Sequence, residues 1–255
     1  MLLAIDTSTS TVTAAVARGA VVVAQVTEVD HRRHGELLAP AINRALTQAS
    51  ATVADLTSVV VGVGPGPFTG LRVGVVTARV LAHVQGVPVH GVCSLDALAH
   101  ECLSRGAVAE GIEFLVATDA RRKEVYWARY VVRSGRSVRT GGPGVARAGD
   151  LPAEIRTLPC FGRGPLLYPD SLRDGGGPRD VAAGYLARFA ATLCGTTAGT
   201  APPGVDPGGS LLPAEPLYLR RPDAAVPATP KSAAPISAAP DSAAPRPAVP
   251  PGAGS

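Results

Sequence analysis

Two stretches of the chain combine residue types that handle phosphate or metal chemistry. The first is Asp6-Thr7-Ser8-Thr9-Ser10-Thr11, a carboxylate followed by an unbroken run of hydroxyls. Such a turn can hold a phosphate or a metal-bound water, and it equally forms plain Asx- and Ser/Thr-turns that satisfy only its own backbone. The second runs from Val59 to Gly74 and breaks at Gly64-Pro65-Gly66-Pro67, where no regular element can continue. A β-branched run precedes the break and an apolar helical pattern follows it. A strand–turn–helix unit of this kind places backbone N–H groups at a helix N-terminus, where anions often bind.

The reactive side chains that usually accompany such turns are missing. Gly64 to Gly70 is followed by Leu71, so the Walker pattern lacks its lysine. The dinucleotide pattern fails as well, because Pro65, Pro67 and Phe68 crowd the turn and proline removes N–H donors. No serine sits in a G-x-S-x-G elbow. His31 and His34 are three apart, but no carboxylate or cysteine stands at a spacing that completes a metal site. Cys93, Cys102, Cys160 and Cys194 form no C-x-x-C pair, which argues against a zinc knuckle or disulfide scaffold and fits a reducing cytoplasm.

The elements that must position these turns follow from periodicity. Leu2–Ile5, Val12–Ala17 and Ala20–Val26 read as strands, the last two joined at Arg18-Gly19. A helix over Glu36–Thr47 carries the stripe Leu37, Leu38, Ala41, Ile42, Ala45 and Leu46, and Pro40 places its start near Leu37. Strand Val59–Val63 leads to a helix with the stripe Leu71, Val75, Ala78 and Ala82, with Val73, Val76 and Val80 beside it. Gly70 and Gly74 share one face of that helix; they either admit a partner helix or pack inside the fold. Strand Val87–Val92 precedes a helix from Leu95 to Ser104 with Ser94 as its N-cap.

From Phe114 the opening pattern recurs. Strand Phe114–Ala117, a polar turn at Thr118-Asp119 and strand Val125–Val132 repeat the first strand, acid and strand about 113 residues on. The spacing predicts a mixed α/β chain of two similar halves: 1–106, and a reduced 107–221 with a short helix over Asp150–Leu158 and a longer one over Arg179–Leu193. Residues 222–255 contain no aromatic, are rich in Pro, Ala and Ser, and read as a disordered tail. At 255 residues and 46% hydrophobic content the chain can build a sizeable core, though aromatics are only 4%. The net charge of +4 permits an RNA partner without arguing for one. The early Asp6 speaks against a signal peptide and no run is long enough to span a membrane, so the reading is cytoplasmic.

Four stretches in order resemble the TsaB family of tRNA threonylcarbamoyladenosine biosynthesis proteins. Gly64-Pro-Gly-Pro-Phe-Thr-Gly-Leu-Arg-Val-Gly74 is similar to the family's G-P-G-S-F-T-G-x-R-x-G signature, with Pro67 in place of serine. The others are Leu3–Ser8, Asp119-Ala-Arg121 with Glu124–Trp127, and Ala214–Arg220; His34, Leu38 and Pro40 match the helix-entry pattern. The resemblance implies an actin-like ATPase-domain (ribonuclease H-like) fold with two duplicated lobes. It implies a non-catalytic relative of TsaD, docking on a TsaD-type transferase that modifies adenosine next to the anticodon. In TsaD the metal-ligand positions correspond here to Ser94 and Leu98, neither of which binds metal as imidazole does. Asp6, Thr7, Ser8, Gly64 and Gly66 are then vestigial nucleotide positions. The implied docking surface uses the first-lobe helices, with His34, Leu38, Ile42, Phe68, Thr69, Gly70, Arg72, Val73, Gly74 and Thr77. A TsaE-like ATPase belongs to the same assembly, ATP and metal are expected on the partner subunits, tRNA is reached through the complex, and a homodimer is the other assembly considered. The rival readings are a glycoprotease-like or nucleotide-binding hydrolase of the same fold, and an RNA-binding module built on Arg32, Arg33, Arg121, Arg122 and Lys123.

Overall fold

The computed structural model describes residues 1–30, 32–194 and 211–220. His31, 195–210 and everything from 221 on lie outside the described residues, and with them the expected disordered tail. Strand β1 (Leu2–Asp6) pairs antiparallel with β2 (Thr11–Arg18), which pairs antiparallel with β3 (Val21–Val29). Helix α1 (His34–Gln48) follows, then β4 (Ser58–Gly64), helix α2 (Phe68–Gln85), β5 (Val89–Cys93) and helix α3 (Ser94–Ser104). The sheet order is β3-β2-β1-β4-β5, with β4 parallel to β1 and β5 parallel to β4.

The same plan repeats. Strands β6 (Glu113–Asp119), β7 (Glu124–Arg133) and β8 (Arg136–Arg147) form an antiparallel run. Short helix α4 (Ala153–Arg156) leads to the two-residue β9 (Cys160–Phe161), parallel to β6, giving the order β8-β7-β6-β9. Helices α5 (Gly164–Leu167) and α6 (Ala183–Cys194) complete the described elements. Asp6 ends β1 as Asp119 ends β6, so the recurrence seen in the sequence is a duplicated strand pattern, as the expected actin-like fold requires.

Alternation along the first sheet sorts its side chains. Leu3, Ile5, Val12, Val16, Val59, Val61 and Val63 pack toward α1 and α2. Ala4, Ala15 and Ala17 face the other way, into a core shared with α3, α6 and the aromatic residues Phe114, Tyr130 and Phe161 of the second sheet. Small side chains on that face let α6 lie close across the strands. Thus α6, expected with the second half by position, packs on β1, β2 and β3, while α3 packs on β6, β7 and β8. The two sheets enclose α3 and α6 between them.

Three local expectations change. α1 starts at His34, not Leu37, and Pro40 stands inside it. Proline has no N–H for the Glu36 carbonyl, and Glu36 is exposed, so water can pair that carbonyl instead. α2 begins at Phe68, two residues before Gly70. Ser94 is the first residue of α3 and makes no cap, because its hydroxyl is engaged elsewhere.

Candidate functional site

The turn after β1 and the turn after β4 meet. Asp6 is fully buried, and its carboxylate accepts from the Ser8 N–H and hydroxyl, both at 2.7 Å, and from the Ser94 hydroxyl at 2.6 Å. Ser94 in turn accepts from the Gly64 N–H at 3.1 Å. Burial pushes the Asp6 carboxyl above its ordinary value, while the Ser94 and Ser8 hydrogen bonds pull it back. This carboxylate ties β1, β4 and the start of α3 together.

The glycines of the second turn serve the same closure. A Cβ on Gly62 would lie 1.7 Å from Asp6 Oδ2, and one on Gly66 would lie 2.4 Å from the Ser8 carbonyl oxygen. Gly70 approaches the Thr7 carbonyl and Gly74 the Thr7 hydroxyl, with added Cβ atoms at 2.6 and 2.4 Å. Thr7 Oγ1 donates to the Gly70 carbonyl at 2.7 Å and accepts from the Gly74 N–H at 3.0 Å. The structure therefore brings Asp6, Thr7, Ser8, Gly64 and Gly66 together. The two turns pack directly on each other.

Beside this closed junction lies a cleft of about 330 Å³, lined among others by Thr9, His34, Thr69, Thr118, Arg121 and Arg163. His34 Nε2 donates to the Thr9 carbonyl at 3.0 Å, which requires the proton on that nitrogen. Arg163 forms a two-pronged pair with Asp180 at 2.7–2.9 Å, which holds its guanidinium more firmly protonated than usual. Among the described residues no group of three or more His, Cys, Asp or Glu side chains is placed to hold a metal ion. Cys93, Cys102 and Cys160 are buried free thiols, and burial pushes all three well up.

The residues expected on a docking surface divide. Leu38, Ile42, Gly70 and Gly74 are buried within the chain, and His34 is committed to Thr9. The glycine pair therefore packs inside the fold instead of admitting a partner helix. Phe68, Thr69 and Arg72 are exposed, and Val73 and Thr77 are half-buried. Arg72 lies over the Phe68 ring at 4.0 Å and donates to the Tyr218 hydroxyl at 3.0 Å, while Tyr218 stacks on Phe68 with centroids 5.0 Å apart. Further along α2, Val76, Val80 and Val84 stand 57%, 55% and 68% exposed, one turn apart. Periodicity had shown Val76 and Val80 beside the buried stripe; their out-of-phase placement was the available signal. Nothing in the sequence marked the cleft residues Arg163, Arg179 and Asp180.

The family model described as TsaD, tRNA N6-adenosine threonylcarbamoyltransferase, matches residues 21–153. An uncharacterized protein of Mycobacterium tuberculosis is 42% identical over 229 residues, covering 88% of this chain and 93% of that one. The tRNA threonylcarbamoyladenosine biosynthesis protein TsaB of Bacillus subtilis is 34% identical over 134 residues, or 52% of this chain and 56% of that protein. A Pseudomonas aeruginosa crystal structure, of an uncharacterized protein with similarity to the peptidase YeaZ, superposes with a TM-score of 0.69. It is 25% identical and covers 86% of this chain and 99% of that one. The chain belongs to the TsaB family. TsaB membership gives the closed junction its context: three of the signature glycines, Gly66, Gly70 and Gly74, are the ones that pack on Thr7 and Ser8. No helix among the described residues is long and apolar enough to cross a membrane.

Proposed function

We propose that the chain acts in tRNA threonylcarbamoyladenosine biosynthesis as a non-catalytic scaffold, docking through α2 on a TsaD-type transferase. The observation that carries this reading is the division of α2 between two tasks. Its inner face is fixed by Gly70 and Gly74 against Thr7, while its outer face presents Val76, Val80 and Val84 with the Phe68–Arg72–Tyr218 cluster at its start. Contiguous exposed apolar surface on an otherwise ordinary helix marks an interaction site, and stacked aromatic and arginine side chains are common interface anchors. The non-catalytic part rests on Asp6, whose carboxylate is enclosed by protein donors and is withheld from any substrate. In this reading ATP, metal and the TsaE-like ATPase act on the partner side, and tRNA is met through the assembly.

The test is association of the full chain with a TsaD-type transferase, measured by calorimetry for wild type and Val80→Glu. A charge placed in an apolar interface should weaken association by about tenfold or more, while the unfolding midpoint of this exposed-site variant stays nearly unchanged. Unchanged association overturns docking through α2, as does a variant that only converts a homodimer to monomers. Turnover of ATP by the isolated chain, lost in Asp6→Ala, overturns the non-catalytic reading.

A further inference from the structure

Phe68, Arg72, Val76, Val80 and Val84 follow one another at four-residue intervals along α2, so they form a single ridge on its outer face. All five are exposed, and Arg72 is the one charge in a row that is otherwise apolar. Its guanidinium lies over the Phe68 ring at 4.0 Å, and its Nε donates to the Tyr218 hydroxyl at 3.0 Å. Among the described residues no carboxylate pairs with it. The two contacts order a side chain that is otherwise free to sample many rotamers. They use one N–H and leave the donors of both terminal nitrogens for a second partner. That fork matches the two oxygens of a carboxylate, and a guanidinium ordered in advance loses less entropy on pairing.

Tyr218 does not belong to α2; its place is set by the segment 211–220. On one side of it the Leu217 N–H donates to the Val63 carbonyl at 2.8 Å, and on the other Arg220 pairs with Glu124 of β7. The Tyr218 ring stacks on Phe68 with centroids 5.0 Å apart. The orientation of an arginine on a helix of the first half is thereby tied, through one tyrosine, to a strand of the second. The valines mark the ridge as surface to be covered. A lone cation among them is costly to cover unless the covering surface brings an opposite charge and pairs it. The arginine therefore specifies the chemistry of what must face it.

We propose that, within the α2 docking on which this rests, Arg72 receives a carboxylate of the partner, an Asp or Glu side chain set in an apolar surface. Tyr218, held through Leu217 and Arg220, is the positioning residue for that pair. The test is calorimetry of the full chain with a TsaD-type transferase in sodium chloride from about 0.05 to 0.5 M. Arg72→Gln should weaken association about tenfold or more and flatten its salt dependence, with the unfolding midpoint nearly unchanged. Tyr218→Phe keeps the stack and removes the hydroxyl. It should weaken association about threefold when Arg72 is present and have no effect in the Arg72→Gln background. Arg220→Gln should follow the same pattern. Association unaffected by Arg72→Gln while Val80→Glu remains disruptive overturns the carboxylate pair and leaves docking through α2 standing. A salt dependence as steep in Arg72→Gln as in wild type overturns the pair as well. Equal losses from Tyr218→Phe with and without Arg72 overturn the positioning role, and association unaffected by both Arg72→Gln and Val80→Glu overturns the pair and the docking together.

Discussion

Asp6 shows how one residue's neighbours decide its role. A carboxylate at the end of a first strand, followed by hydroxyls, is suited to phosphate or metal chemistry, yet here it accepts three internal hydrogen bonds in full burial. Asp6→Ala strands the donors of Ser8 and Ser94, so a loss of about 2–4 kcal/mol in denaturant unfolding is expected. The pH dependence has a definite sign. The folded pKa stands above the ordinary 3.8, so the folded state holds this proton more tightly than the unfolded chain. The stability so supplied is complete below about pH 4 and is lost as pH rises through the folded value. Measured against Asp6→Asn, wild type should therefore lose ground in urea midpoint between pH 4 and 8; a constant difference would contradict the raised pKa. The cysteines give a simpler expectation. With Cys93, Cys102 and Cys160 buried and their thiols pushed up, the native protein should resist iodoacetamide at pH 8 at these positions and react only on unfolding.

At the scale of elements, α2 is held by its contact with the β1–β2 turn. Gly74→Ala would bring a Cβ to 2.4 Å from Thr7 Oγ1, at an expected cost of about 2–3 kcal/mol. Removing that hydroxyl in Thr7→Ala leaves the Thr7 Cβ as a neighbour at 3.6 Å, an ordinary contact. The double-mutant cycle should then show a coupling of at least about 1 kcal/mol, whereas strict additivity would mean Gly74 is required for some other reason. The helix itself was legible from its apolar stripe, and it ends at Gly86, whose φ of +65° suits a left-handed cap. What the stripe could not reveal was the occupant of the glycine face. Ser94 failed as a cap for a related reason: Asp6 and Gly64, distant in the chain, engage its hydroxyl.

Across the whole molecule, helices α3 and α6 join the two sheets into one body, and 1–221 behaves as a single compact unit. Tyr130 of β7 donates to Asp96 of α3 at 2.7 Å inside that shared core, and Arg139 of β8 stands 3.5 Å from the same carboxylate. The segment 211–220 adds a second tie. Leu212 exchanges backbone hydrogen bonds with Gly91 at 2.7 and 2.8 Å, the Leu217 N–H reaches the Val63 carbonyl at 2.8 Å, and Arg220 pairs with Glu124 of β7. A Cβ on Gly91 would meet the Pro213 carbonyl oxygen at 2.5 Å. Gly91→Ala should therefore loosen this segment, seen as faster amide exchange at Leu212 and Leu217 with exchange in α1 unchanged. Protection retained at both amides would mean that the segment is held from elsewhere.

The sequence by itself determined the strands and helices of the first half, the recurrence of Asp6 at Asp119 and the order of the four family stretches, because period, turn residues and spacing are local properties. It did not reach the long, glycine-rich β8 or the two-residue β9, whose composition carries little strand signal and whose pairing depends on β7 and β6. Only the tertiary structure decided that the two glycine- and hydroxyl-bearing turns fill each other and that four arginines from separate segments line a cleft beside them. Both outcomes depend on distances between segments from about 60 to more than 100 residues apart. Such distances are set by how layers pack, and no local pattern of side chains encodes them.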